Sequence, residues 1–253
     1  MNLSDARLPR HVVLAYLNEP PFCWKDAAGE VVGLDIEVAF TVLKALGIES
    51  VETRLAAFAD FIPGVAAGAW TINVPMFVTP ERAKRVAFSR PVWSLADGLM
   101  MRAHDPRTFA SYEAVGRQET AVIGVIAGQI QHDAALRAGI PVNRLKVFSA
   151  PEDAIEALLA GGIDAYASAA MVHRGLLRER RDERLRVADF DDTAGEPALG
   201  AYSFALSNVE LLTAFNRQLA SFLGSPQHLE IAARYGFTGA EMACVNPINL
   251  TLT

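Results

Sequence analysis

The chain has 253 residues, 51% apolar and 21% charged, with a mean hydropathy of +0.20, enough for one large domain or two lobes of ordinary size. Net charge is −6 and basic residues alternate with acids, which excludes a nucleic-acid footprint; the densest basic run, 178–186, contains Glu179, Asp182 and Glu183 and reads as a solvated helix end and loop. No apolar run approaches the ~18 residues that cross a bilayer.

In chain order, His11–Tyr16 is a β-rich apolar run that ends at Asn18-Glu19-Pro20-Pro21, where two prolines forbid both ladder and helix. Residues 25–30 carry a hairpin signal, and 35–46 repeat apolar residues at helical spacing until Gly47 stops them. A strand at 51–55, a helix at 59–67 ended by Gly68 and a strand at 72–78 complete a β-α-β-α-β pattern, the mark of a parallel sheet covered by helices. Residues 98–103 read as a strand and 104–107 as a break. A second α/β run follows, with strands at 120–126, 145–148, 163–168 and 185–190 and helices at 131–138, 151–159 and 170–178. After an acidic loop at 191–196 come a strand at 200–206 and helices at 209–223 and 226–235. Two α/β lobes crossed by the chain form a cleft, and clefts hold small ligands.

The stretch Phe77-Val78-Thr79-Pro80-Glu81-Arg82-Ala83 carries the sharpest chemistry. Thr79 suits an N-cap, Pro80 the first helical position, and Glu81 the positive helix end. Arg82 then stands beside backbone N–H groups with no partner inside the helix. An Arg fork next to such donors is a receptor for a carboxylate. Cys23 and Cys244 lie far apart and read as buried or semi-buried thiols; His104, His173 and His228 lack ligand spacing, so no metal and no cofactor is expected.

Four stretches in this order also carry a family resemblance: 30–37 (EVVGLDIE), 61–68 (FIPGVAAG), the 79–83 turn (TPERA) with Phe88-Ser89, and 156–165 (EALLAGGIDA). Together they resemble the family 3 solute-binding proteins of ABC importers, polar amino acid type, over about residues 11–237. The resemblance implies an α/β, periplasmic-binding-protein-like type II fold, with two α/β lobes around a ligand cleft. Lobe 1 is then discontinuous (1–102 plus 197–253) and lobe 2 spans 103–196, the pair closing about a hinge. It implies a monomer without catalysis, a small carboxylated solute as ligand, and ABC permease subunits as partners. The first ten residues lack an export signal's apolar core. A periplasmic or extracellular setting therefore goes with a signal removed from the chain, and a cytoplasmic one stands beside it.

By the same resemblance Arg82 clamps the ligand carboxylate, Phe58 packs on the ligand, and the turn Gly128-Gln129-Ile130-Gln131 offers backbone N–H groups and amide side chains to the carboxylate. The sequence departs from the family where an acid holds the ligand ammonium, a position that falls on Ala169. A buried ammonium without a paired carboxylate costs several kcal/mol by general estimates. It departs again at Glu19, where an aromatic or small polar residue precedes the Pro-Phe pair, and at Met76-Phe77, in a strand without the usual serines. Two readings of the cation site follow: it moves to Glu19, or it becomes an aromatic cage from Phe22, Trp24, Phe58, Trp70, Phe77 or Trp93. A betaine-like, cyclic or N-substituted amino acid then stands beside an ordinary amino acid held in a rearranged way.

Plain readings stand beside these. Arg82 could pair with Glu81 or Asp97, Glu19 could be a solvated loop residue, and Phe58 and Phe77 could be core. Trp24 and Trp70 read as lobe packing, His132 as an exposed helix-end residue, and Asp35 as a helix cap. The rival class is an enzyme resembling cyclohexadienyl dehydratases, with Glu19 or His132 near Arg82 as the acid.

Overall fold

The computed structural model describes residues 8–190 and 198–245, so the acidic loop expected at 191–196 lies outside the described residues. The chain divides into two compact units, residues 1–94 with 198–253, and residues 95–197. The first begins with β1 (His11–Tyr16), the hairpin β2 (Trp24–Lys25) and β3 (Val31–Val32), and α1 (Leu34–Ala45). β4 (Ser50–Leu55), α2 (Phe61–Ala66), β5 (Ile72–Phe77), α3 (Pro80–Ala83), β6 (Val86–Phe88) and β7 (Trp93–Leu95) follow. The second unit holds β8 (Asp97–Arg102), α4 (Tyr112–Gly116), β9 (Ile123–Ile126), α5 (Ile130–Arg137) and β10 (Leu145–Phe148). It continues with α6 (Pro151–Leu159), β11 (Ala165–Ala169), α7 (Ala170–Arg180) and β12 (Leu185–Asp189). The chain then returns to the first unit as β13 (Ala198–Ala205), α8 (Val209–Phe222) and α9 (Pro226–Arg234).

The first sheet runs β4-β1-β5-β13-β6, with β7 on β13. β1, β4 and β5 are parallel and β13 runs against β5. All six residues of β5 are buried, so its polar members need partners inside. Asn73 has them: its Nδ2 donates to the Phe61 carbonyl and to Ser203 Oγ, and its Oδ1 accepts from Trp70 Nε1. Pro75 cannot donate to a ladder. Accordingly the β1 ladder reaches only Asn73, and the β13 register shifts between Ala201 and Ser203.

The second sheet runs β10-β9-β11-β8-β12, with β9, β10 and β11 parallel and β8 antiparallel to both β11 and β12. Strand β8 thus belongs wholly to this sheet. The chain crosses between units at Ser94 and Leu95, ahead of the boundary expected after residue 102. The reason is the ladder: every residue of Asp97–Met101 pairs with β11, a long-range partnership that local sequence does not display.

Candidate functional site

In parallel α/β sheets ligands meet the loops beyond the carboxyl ends of the strands. Three neighbouring strands of the first unit end this way: β1 leads to Glu19, β4 to a 3-10 turn at Phe58–Asp60, and β5 to α3. Helix α3 is a single turn with Pro80 at its start, and Thr79 Oγ1 accepts from the Arg82 N–H at 3.2 Å. That bond is the N-cap expected of Thr79, and it engages the backbone donor of Arg82.

Arg82 is only 8% exposed. Its Nη1 donates to the Phe77 carbonyl at 2.7 Å, and its Cζ lies over the Phe58 ring, 5.0 Å from the centroid. Burial brings the guanidinium down to about 10, still fully charged at neutral pH. Glu81, a suggested partner for Arg82, holds Lys84 at 2.7 Å.

Glu19 sits in a tight loop containing the cis Pro20–Pro21 bond, with its N–H donating to the Cys23 carbonyl at 2.7 Å. It is half-buried rather than solvated, and burial pushes its carboxyl up to about 7. Asp35 is nearby in charge and 1% exposed. It does not cap α1, whose N-cap is Gly33; its Oδ1 accepts from Trp93 Nε1 at 3.0 Å and its Oδ2 has no partner among the described residues. Burial and then the Glu19 charge hold Asp35 well above the usual carboxylate range. Buried Cys23 is pushed up by burial, Asp35 and Glu19; Cys244 is the other free thiol.

Of the aromatic candidates, Phe22 and Phe77 both meet Trp93 edge-on, at 5.3 and 5.5 Å, and all three are buried. Trp24 packs on Tyr235 and Trp70 against Gly64, which makes them scaffold rather than cage. Met76 lies buried in β5. Phe58 is half-buried, as are Trp24 and Trp70.

In the second unit, Gly128 turns with φ 78° and Gln129 is the N-cap residue of α5, without a side-chain cap bond. Ile130 opens the helix, and Gln131 is buried. The Gln131 amide, expected to face a carboxylate ligand, donates instead from Nε2 to Asp97 Oδ1 at 2.8 Å, and its Oε1 has no partner among the described residues. Tyr112 OH donates to Asp97 Oδ2 at 2.7 Å. Ala169 is fully buried at the end of β11. His132 is half-buried, with Asp133 at 3.1 Å. Nothing in the sequence singles out Tyr112, and Asp97 figures there only as a partner for Arg82; the apolar run after Asp97, which marks it as the entry to a buried strand, is the available signal.

The sequence profile of the bacterial extracellular solute-binding proteins, family 3, matches residues 12–238. The chain belongs to this family. A relative in Sinorhizobium fredii (strain NBRC 101917 / NGR234), named "Probable amino-acid ABC transporter periplasmic-binding protein y4tE", is 30% identical over 97% of this chain and 83% of its own length. Among solved structures, EhuB in complex with hydroxyectoine is similar at 27% identity and a TM-score of 0.82, covering 93% of this chain and 90% of that one. An ancestral arginine-binding protein bound to glutamine shares the fold, with a TM-score of 0.79 at 23% identity, 92% of this chain and 100% of that one. As a solute-binding protein, the chain has the two α/β units of a type II periplasmic-binding fold. Among the described residues no helix is long and apolar enough to cross a membrane, and no group of three or more His, Cys, Asp and Glu is placed for a metal ion.

Proposed function

We propose that this solute-binding protein is the receptor of an ABC importer for a small carboxylated, nitrogen-containing solute, an amino acid or a derivative of one. It works outside the cytoplasmic membrane as a monomer, closes on the solute and hands it to the permease subunits. The observation that carries the reading is Arg82, a charged guanidinium kept from water beyond β5 and laid over Phe58. A desolvated Arg binds a carboxylate far more strongly than one in bulk water. Glu19 is one acceptor for the cationic nitrogen, and Phe58 and Phe77 set the shape. The name of y4tE supports the amino-acid class, and the hydroxyectoine bound to EhuB supports testing cyclic zwitterions.

The test is a thermal-shift screen with amino acids, betaines, ectoines and cyclic imino acids on wild type and Arg82→Ala, since a tight ligand raises the melting temperature. Zwitterions that stabilise wild type and not the variant are expected. Equal shifts in both remove the carboxylate clamp.

One observation favours a second reading. A carboxyl held at about 7, as Glu19 is, suits general acid chemistry at neutral pH. Turnover of prephenate or arogenate that disappears in Glu19→Gln would replace binding with catalysis.

A further inference from the structure

The proposed function leaves open which acid in the second unit meets the cationic nitrogen of the solute, and the role inferred for Asp97 rests on that function. The position implied for such an acid is Ala169, at the carboxyl end of β11. The antiparallel ladder pairs Ala169 with Asp97, the first residue of β8. Residues directly opposite in such a ladder project from the same face with Cβ atoms about 5 Å apart. Asp97 therefore carries a carboxylate one strand away from the position where the acid is missing. It stands on the same face, and at the edge where parallel strands present their ligands.

Its surroundings suit a cation that arrives with a ligand. The two donors that hold Asp97, Tyr112 OH at 2.7 Å and Gln131 Nε2 at 2.8 Å, are both neutral and both come from first turns of helices. Among the described residues no Lys or Arg neutralises it. Gln131 is 1% exposed and its Oε1 is left without a partner among the described residues, the kind of buried acceptor that native proteins seldom leave unanswered. An ammonium carries three N–H donors, enough to answer a carboxylate and an amide oxygen together.

We infer that Asp97 is a specificity-determining residue, standing in for the acid missing at Ala169 and receiving the solute's cationic nitrogen together with Gln131 Oε1. Tyr112 and Gln131 Nε2 act as positioning residues that fix the carboxylate.

The experiment is calorimetric titration of wild type and Asp97→Asn with two pairs of probes. L-Glutamine is set against glutaramate, which lacks its α-ammonium, and L-proline against (S)-tetrahydrofuran-2-carboxylate, in which oxygen replaces the ring nitrogen. The expected result is a loss of at least tenfold in affinity for the amino member in the variant, with the carboxylate-only member unchanged or tighter. A folded variant that keeps the wild-type ratio between the two members overturns the inference, as does an equal loss for both. If Asp97→Asn does not fold, Asp97→Ser, which keeps a small acceptor for Tyr112, is read by the same ratio. Arg82→Ala separates the two readings: it lowers both members of a pair if the carboxylate clamp holds, and leaves both unchanged if the proposed function fails.

Discussion

The guanidinium of Arg82 lies on the ring of Phe58, its Cζ 5.0 Å from the ring centroid, while its Nη1 is held by the Phe77 carbonyl. The ring face and the carbonyl together fix the direction of the guanidinium. A cation–π contact of this kind contributes about 0.5–2 kcal/mol. Phe58→Ala is expected to weaken binding of the solute found by screening roughly five- to tenfold, about 1 kcal/mol, with Phe58→Tyr close to wild type. Arg82→Ala should cost more, about 2–4 kcal/mol, because it removes the charge itself. Titration calorimetry reads both, and wild-type affinity in Phe58→Ala would show that the ring does not organise the guanidinium.

A second relationship supports the same region from beneath. A Cβ on Gly200 would stand 2.1 Å from Trp93 Cζ3, so the indole lies flat on the β13 backbone. From there it donates to Asp35 and meets Phe22 and Phe77. Gly200→Ala is expected to destabilise the protein by about 1–3 kcal/mol through overpacking. It should also change the Trp fluorescence of the folded state. Urea unfolding followed by fluorescence checks it, and an unchanged midpoint would mean that the ring moves aside without cost.

Much of this architecture was legible because local and global signals agree. Helix α6 shows its limits through Pro151 at its start and the Gly161-Gly162 pair beyond its end, and β10 is bounded as expected. The Thr79-Pro80 cap was readable for the same reason. The three-residue strands β6 and β7 carry too little pattern to be seen; only their pairing with β13 makes them strands. Asp35 was misread because Gly33 already fills the N-cap, with φ 129° and no room for a Cβ against the Phe22 carbonyl. The turn that carries Arg82 was legible from its own residues. The surroundings of Asp97 were not, since its neighbours Ala169, Tyr112 and Gln131 are distant in sequence and meet it only through a ladder and two helix starts.

Buried His173 meets the Tyr166 ring edge-on at 4.9 Å, and burial holds its imidazole down at about 3. In the unfolded chain the imidazole takes a proton below its ordinary 6.5, so the unfolded state binds more protons between 6.5 and 3. Stability is therefore lost as pH falls through that window, by about 2.5 kcal/mol between pH 7 and 4.5 from this group alone. His173→Phe should fold with a shallower loss over the same interval, whatever its stability at pH 7. The check is the difference between variant and wild-type urea midpoints at the two pH values; parallel curves would remove His173 from the acid response.

Glu19 works in the opposite sense. Its carboxyl is raised from 4.5 to about 7, so the folded state binds more protons than the unfolded one between those values. Its contribution is complete below 4.5 and is lost as pH rises through about 7, a loss of up to about 3 kcal/mol. The His173 and Glu19 slopes partly cancel in the wild type, which is why each is read as a difference from a variant. Glu19→Gln removes the need to ionise a desolvated acid, so the ligand-free variant should be more stable than wild type at pH 8 and similar at pH 4. Binding reverses the preference: a cationic nitrogen needs the ionised carboxylate, so wild-type affinity should fall about tenfold per pH unit once pH drops below 7, until pH passes below the value at which Glu19 titrates in the complex. In Glu19→Gln that dependence should flatten and affinity at pH 8 should fall. A variant that gains stability at pH 8 yet binds the solute as tightly as wild type would leave Glu19 buried in the loop and outside the binding site.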